Sequence, residues 1–172
     1  MKKKWMIRTI AFALLLWMGC SPKRPYYREG VFHIHDAVFQ LGQIPPTWTP
    51  LSIHEATIGF RDAAQHASVF LYARCHQKRD DIPLTVLTNH LLLGTTERDI
   101  REQQTIPLDG REALFTHLHA KLDGVEMHYE IYVLKKDDCL YKFIYMRSIQ
   151  EKEELSEAFK RSVTGFRAIR QE

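Results

Sequence analysis

His117, His119, His128 and Glu130 stand symmetrically about the dipeptide Asp123-Gly124, and this spacing is where the chain could carry chemistry. Asp-Gly between alternating apolar and polar residues is the preferred chemistry of a two-residue hairpin turn. With that turn, Leu122 faces Val125, His119 faces His128 and His117 faces Glu130, so all four polar side chains share one face. Leu118, Ala120, Met127 and Tyr129 fall on the other face, which reads as the core side. Directly opposed and diagonal imidazoles are close enough to share a zinc or copper ion. The competing reading is a partly exposed ion pair between His and Glu, because a flat strand face encloses an ion poorly and structural zinc needs tetrahedral closure. The sequence favours the ion pair, so no metal or other cofactor is assigned. His33 and His35 make a second one-sided His-x-His, which reads as coincidence in a chain with 9 His.

The cysteines point to a compartment. Cys20 closes the segment MKKKWMIRTIAFALLLWMGC, in which Lys2, Lys3, Lys4 and Arg8 precede an apolar run from Thr9 to Met18 that is too short to span a bilayer. That is the organisation of a cleaved export signal. Leu16-Trp17-Met18-Gly19-Cys20 resembles the bacterial lipobox, in which a small residue precedes a cysteine that is lipidated and becomes the mature N-terminus. Gly19 and Cys20 match it, whereas Trp17 stands where Leu is usual. A non-lipidated signal cut before Ser21 is the alternative. The absence of Asp after the cysteine, where it would resemble an inner-membrane retention signal, leans towards the outer membrane. The organisation expected is a signal over 1–19, a lipidated cysteine and tether over 20–30, and a single domain over 31–172.

Cys75 and Cys139 remain after lipidation. In an oxidising compartment an even pair invites a disulfide, which would stabilise by about 2–4 kcal/mol; two buried thiols acting as small hydrophobes are the other reading. Removing residues 1–19 takes four basic residues with it, so the formal charge of +3 becomes −1 in the mature chain. The basic pI therefore says nothing about anionic partners, and a nucleic-acid role is excluded from the expectations.

Strands are expected over Val31–His35, Trp48–Ile53, Ala56–Asp62 and Ala67–Cys75, the last rich in β-branched and aromatic types. Asp80-Asp81-Ile82-Pro83 starts a helix that carries Leu84, Leu87 and Leu91 at helical spacing as far as Gly94. Thr96 to Glu102 reads as an extension of that helix or a second short piece. Turns at Asp109-Gly110, Asp123-Gly124 and Lys135 to Asp138 divide Gln104–Arg147 into a four-stranded meander. Ser148 and Glu151 at capping-box spacing open a closing helix with Leu155, Phe159 and Val163 on one face, ending near Gly165. Leu140 to Met146 is apolar on both faces apart from Lys142, so the sheet is expected to be covered on each side.

This order resembles the PsbP-like and DcrB-like group. The residues that carry the resemblance are Ile44-Pro45-Pro46-Thr47-Trp48, the strand Ala67 to Cys75, the turn Leu108-Asp109-Gly110-Arg111-Glu112-Ala113, and the terminal helix ending Gly165-Phe166. The resemblance implies an α+β domain, an antiparallel sheet of about six to eight strands flanked by two main helices in a PsbP-like α/β/α sandwich. Members include a photosystem-associated protein, a nuclear-transport accessory factor and bacterial envelope lipoproteins; they share a scaffold and no reaction, so only an accessory or binding role is implied.

Enzymatic signatures are missing. His54-Glu55-Ala56-Thr57-Ile58 lacks the second His of a metalloprotease helix, and neither a nucleophile elbow nor a phosphate-binding glycine loop occurs. Asp80-Asp81 and Asp137-Asp138 sit where turns and helix starts favour Asp. No catalytic residue is assigned and no enzyme is expected. The expectation is a lipoprotein tethered to the membrane through Cys20 on the periplasmic side of a Gram-negative envelope. It would dock on an envelope protein through a sheet edge or through Tyr141, Phe143 and Tyr145, unless those rings pack under the first helix. The alternative is a carrier of a small ligand, an apolar molecule or a metal at the histidines.

Overall fold

Period-two alternation governs the centre of the chain. In a computed structural model that describes residues 25–53, 57–76, 81–149 and 154–170, it produces four long strands in a row: β7 Thr95–Leu108, β8 Arg111–Leu122, β9 Val125–Lys136 and β10 Cys139–Ser148. They are preceded by β4 Trp48–Leu51, β5 Thr57–Asp62 and β6 Ala67–Cys75. All seven join one antiparallel sheet in the order β4-β5-β6-β10-β9-β8-β7. The expected signal over 1–19, Cys20, His54-Glu55, Asp80 and Glu151 lie outside the described residues.

The turns follow from backbone conformation. Asp109 and Gly110 have φ of 49° and 73°, and Asp123 and Gly124 of 49° and 82°, the left-handed pair that a tight hairpin needs. Asp137 and Asp138 adopt φ of 51° and 57° without glycine, a conformation that Asp tolerates better than most residues.

Both faces of the sheet are covered, by different means. On one face lies α1, Leu84–Leu91, whose Leu87 packs over Leu118, Tyr129, Ile131 and Val133. On the other lies α2, Glu157–Thr164, which brings Phe159 and Val163 onto Phe115, Tyr132, Phe143 and Tyr145. Beside α2 sits a second sheet, ordered β1-β2-β3-β11, built from β1 Tyr26–Arg28, β2 Val31–Ile34, β3 Ala37–Gln40 and β11 Arg167–Ile169. Its inward Phe32 and Phe39 join Tyr141, Phe143 and Phe166 in one aromatic cluster.

Several expectations are corrected here. Thr96 to Glu102 is not helical but part of β7, which pairs with β8 through two register shifts; edge pairing overrides the helix-forming preference of its Glu, Arg and Gln residues. Ser148 ends β10, and Ser156 is the cap, its hydroxyl accepting from the Phe159 N–H at 3.2 Å. The folded part reaches back to Tyr26, inside the stretch expected as tether, because Tyr26 stacks on His33 and Tyr27 on Phe32. Tyr141, Phe143 and Tyr145 are fully buried, and they pack beneath α2 and the small sheet rather than under α1 or towards a partner.

Two links reinforce this arrangement, the first of them within the main sheet. Cys75 and Cys139 are opposed residues of β6 and β10 and are joined as a disulfide. At the other link the chain entering β4 crosses the end of α2, where the Gly42 N–H donates to the Ser162 carbonyl at 2.7 Å. A Cβ on Gly165 would stand 2.6 Å from the Gly42 nitrogen, and one on Gly42 would strike the Arg161 carbonyl. Backbone cannot withdraw as a side-chain tip can.

Reduction of the disulfide, or a Cys75→Ala/Cys139→Ala variant, is expected to lower stability by about 2–4 kcal/mol. The denaturant midpoint with and without reductant measures this, and an unmoved midpoint would contradict the bond. Gly165→Ala is expected to destabilise by about 1–3 kcal/mol through overpacking against backbone, visible as a lowered melting temperature at unchanged secondary-structure content.

Candidate functional site

The hairpin β8–β9 forms in the register that its Asp123-Gly124 turn dictates: Leu122 opposite Val125, His119 opposite His128 and His117 opposite Glu130. The four polar residues therefore share a face. That face is the one beneath α2, continuous with Phe115 and Tyr132, so the sheet has a core on both sides here rather than a core side and a wet side.

Burial decides between the two readings of the cluster. His128 and Glu130 are each 1% exposed, and His117 and His119 are each 8% exposed. The partly exposed ion pair is thereby corrected to a buried polar group. The cover comes from the connection between β10 and α2: the Ile149 N–H donates to the Glu126 carbonyl at 3.0 Å, Arg147 donates to the Glu154 carbonyl at 3.2 Å, and the Ser156 N–H donates to Glu130 Oε1 at 2.7 Å. No strand-level reading could supply that lid.

The imidazoles converge. One ring nitrogen from each of His117, His119 and His128 lies within 4.8 Å of the other two. Ring centroids are 4.7 Å apart for His117 and His128, 5.5 Å for His117 and His119, and 5.7 Å for His119 and His128. His128 Nε2 is 3.1 Å from Glu130 Oε1. A carboxylate only accepts, so this contact puts a proton on Nε2 and, in the neutral ring, leaves Nδ1 as the lone-pair nitrogen. That buried Nδ1 and Glu130 Oε2 find no hydrogen-bond partner among the described residues. An unsatisfied buried acceptor is expensive, and such groups often mark a ligand position.

The neighbouring strand adds charge. Asp99 stands opposite His119 and Glu102 opposite His117 across the β7–β8 pairing. Arg101 Nη2 lies 3.4 Å from His119 Nδ1, while its Nε contacts Asp99 Oδ2 at 3.1 Å. A hollow of about 260 Å³ bordered by Asp99, Arg101, His119 and Glu126 opens from the surface at this point. Sequence reasoning missed Arg101 because β7 read as helical, and missed Ser156 because its role depends on a contact across 26 positions of chain.

The remaining candidates disperse. His33 stacks on Tyr26 with centroids 4.3 Å apart, and His35 occupies a turn with φ of 51°. Asp137 and Asp138 serve a turn, and Asp137 lies 3.5 Å from the exposed Arg170. Cys75 and Cys139 meet as described, whereas Cys20 lies outside the described residues.

Neither a family description nor a curated protein matches the chain. Solved structures do resemble it. A protein of Bacteroides thetaiotaomicron superposes with a TM-score of 0.57 at 7% identity, over 88% of this chain and 50% of its own, so this chain spans half its length. Cyanobacterial PsbP from Synechocystis gives 0.57 at 13% identity over 89% of this chain and 96% of its own. A point mutant of Mog1 gives 0.56 at 11% identity over 84% and 94%. The fold is PsbP-like, an α+β domain as the resemblance implied. At these identities the likeness concerns the scaffold alone.

Burial also acts on the tyrosines around the site. Desolvation pushes the phenols of Tyr141 and Tyr145 up to about 12 and raises those of Tyr129 and Tyr132. Each phenol's folded value exceeds its ordinary value near 10, so the native state holds more protons above that pH. The stabilisation is complete below about pH 10 and is lost as pH rises through about 12. Thermal stability is therefore expected to fall steeply between those values. Phenolate absorbance should show the buried tyrosines titrating only with unfolding, and early titration of all tyrosines would contradict the packing.

Proposed function

We propose that this chain is an envelope lipoprotein, anchored through Cys20 and facing the periplasm, whose PsbP-like domain serves a non-catalytic accessory role beside an envelope protein. The outer membrane is the favoured location, and kinship with DcrB-like envelope lipoproteins belongs to the same reading. The observation that carries it is the Cys75–Cys139 disulfide following an export signal in the same chain. Disulfides persist in oxidising compartments, and the periplasm is one. Two features of different physical origin thus agree on export.

The interior supports an accessory domain over a carrier of an apolar molecule. The space between the main sheet and the small sheet beside α2 is filled by Phe39, Tyr141, Phe143 and Phe166, with neighbouring ring centroids 4.9–5.8 Å apart. Such contacts leave little room for a guest. The sheet edges bear on how a partner would dock. β7 carries two register shifts, Pro107 and a run of charged residues, and β4 contains Pro50. These devices oppose strand addition, so side-chain docking on the layers around the sheet fits this domain better than β-augmentation.

Cys20→Ala is expected to leave an exported protein that is soluble in the periplasm, whereas the unaltered chain fractionates with membranes and gains the mass of a lipid at Cys20. Continued membrane fractionation of a processed Cys20→Ala protein, or an unmodified Cys20, would overturn the anchor.

A further inference from the structure

We propose that His117, His119 and His128 form a binding site for one divalent ion of the zinc and copper class, with Glu130 orienting His128 and Arg101 holding the ion-free site. This goes beyond the accessory reading and does not depend on the anchor.

The donor set fits the ion. Neutral imidazole is the ligand that zinc and copper share, and three protein ligands with a fourth position left to water or an exogenous group is a recurrent arrangement for zinc. Nitrogens about 2.0–2.1 Å from a tetrahedral ion stand about 3.3 Å from one another. The three imidazole nitrogens already lie within 4.8 Å of each other, so binding needs small ring rotations rather than backbone movement. The strands hold the rings in register, with His119 opposite His128 and His117 two residue pairs further along the ladder, on the same face.

Glu130 supplies the support that such sites use. A metal-binding histidine commonly donates its other ring N–H to a carboxylate, which fixes the tautomer and makes the ligating nitrogen more basic. Here Glu130 Oε1 accepts from His128 Nε2 at 3.1 Å and is itself fixed by the Ser156 N–H at 2.7 Å. The nitrogen left to bind is Nδ1, the buried atom with no hydrogen-bond partner among the described residues. A purely structural His–Glu pair would not need a second, unsatisfied acceptor beside two further imidazoles.

Arg101 gives the site a competitor. Arginine only donates, so its contact with His119 Nδ1 at 3.4 Å keeps the proton of the neutral ring on Nε2. An ion on Nδ1 displaces the guanidinium directly; an ion on Nε2 moves the ring proton to Nδ1, which then repels the same donor. Either way Arg101 must withdraw. Asp99, already 3.1 Å from its Nε, can retain it at the surface. The cation would approach through the hollow beside His119, past Asp99 and Glu126.

The test is titration of the purified full-chain protein, in the form its host processes, with zinc and with copper against a chromophoric chelator, after metal removal. Cobalt substitution serves as a spectroscopic report of geometry. One ion per chain is expected, with cobalt d–d bands of imidazole coordination. Glu130→Gln is expected to weaken binding by about 10–100-fold, and His128→Gln by more. Arg101→Ala, at an exposed edge, is expected to tighten it several-fold, an effect that a merely structural role for these residues would not produce. Stoichiometry below one, affinity unchanged in His128→Gln, or affinity unchanged or weaker in Arg101→Ala would each overturn the proposal. Lipid at Cys20, read by mass on the same sample, reports on the anchor separately.

Discussion

A slip of one residue in the pairing of β8 with β9 would turn one strand over and part His128 and Glu130 from His117 and His119, leaving the two pairs in different cores of this protein. Sheet side chains alternate, so register and facing are a single constraint. The Asp123-Gly124 turn sets that register locally, and every longer-range feature respects it. With His117, His119, His128 and Glu130 on the α2 side, the Ser156 N–H can reach Glu130 and the chain entering α2 can close over the group. With Leu118, Tyr129, Ile131 and Val133 on the opposite side, α1 finds an apolar floor. With β9 shifted by one, α1 would sit on His128 and Glu130.

Local turn chemistry was legible in the sequence, and distant closure was not. Three hairpins of the meander follow from dipeptides and alternation, and the cross-strand partners of the site histidines follow from counting outward from Asp123-Gly124. Of the small sheet only β2 was legible, as the strand expected over Val31–His35; β1, β3 and β11 escaped because they are three or four residues long and β11 lies more than a hundred residues away from its partner β3. Ser148 was expected as the cap because Glu151 follows it at capping-box spacing; the β10 pairing that extends to Ser148 takes that residue into the sheet instead. The first half of β7, Thr96 to Glu102, was misread because its composition is helical and its conformation is imposed by a neighbour, whereas its end from Gln104 was legible as a strand. The burial of the site histidines belongs to the same class, since the contacts made by Arg147, Ile149, Glu154 and Ser156 leave no mark on the strands beneath them.

The scaffold and the site have different status. Structures sharing 7–13% identity adopt this fold over most of the chain, so the scaffold does not depend on this chain's particular side chains. Polar residues inside such a scaffold are therefore informative. Hydrophobic replacements of the buried His–Glu group would pack at least as well, and removing an ion pair in favour of apolar contacts is often neutral or stabilising. The group is understandable as a ligand position more readily than as a contribution to stability.

The crossing of Gly42 over Gly165 latches the two chain ends to each other, and its mechanical consequence reaches the histidines. The meander β7–β10 is built from neighbours in sequence, whereas the small sheet, α2 and their lid depend on the chain ends meeting. Proteins open in cooperative pieces of unequal stability. The natural fault line here runs between the meander and the elements that close over it, so the cluster lies on the seam, where any parting of the two would hydrate it.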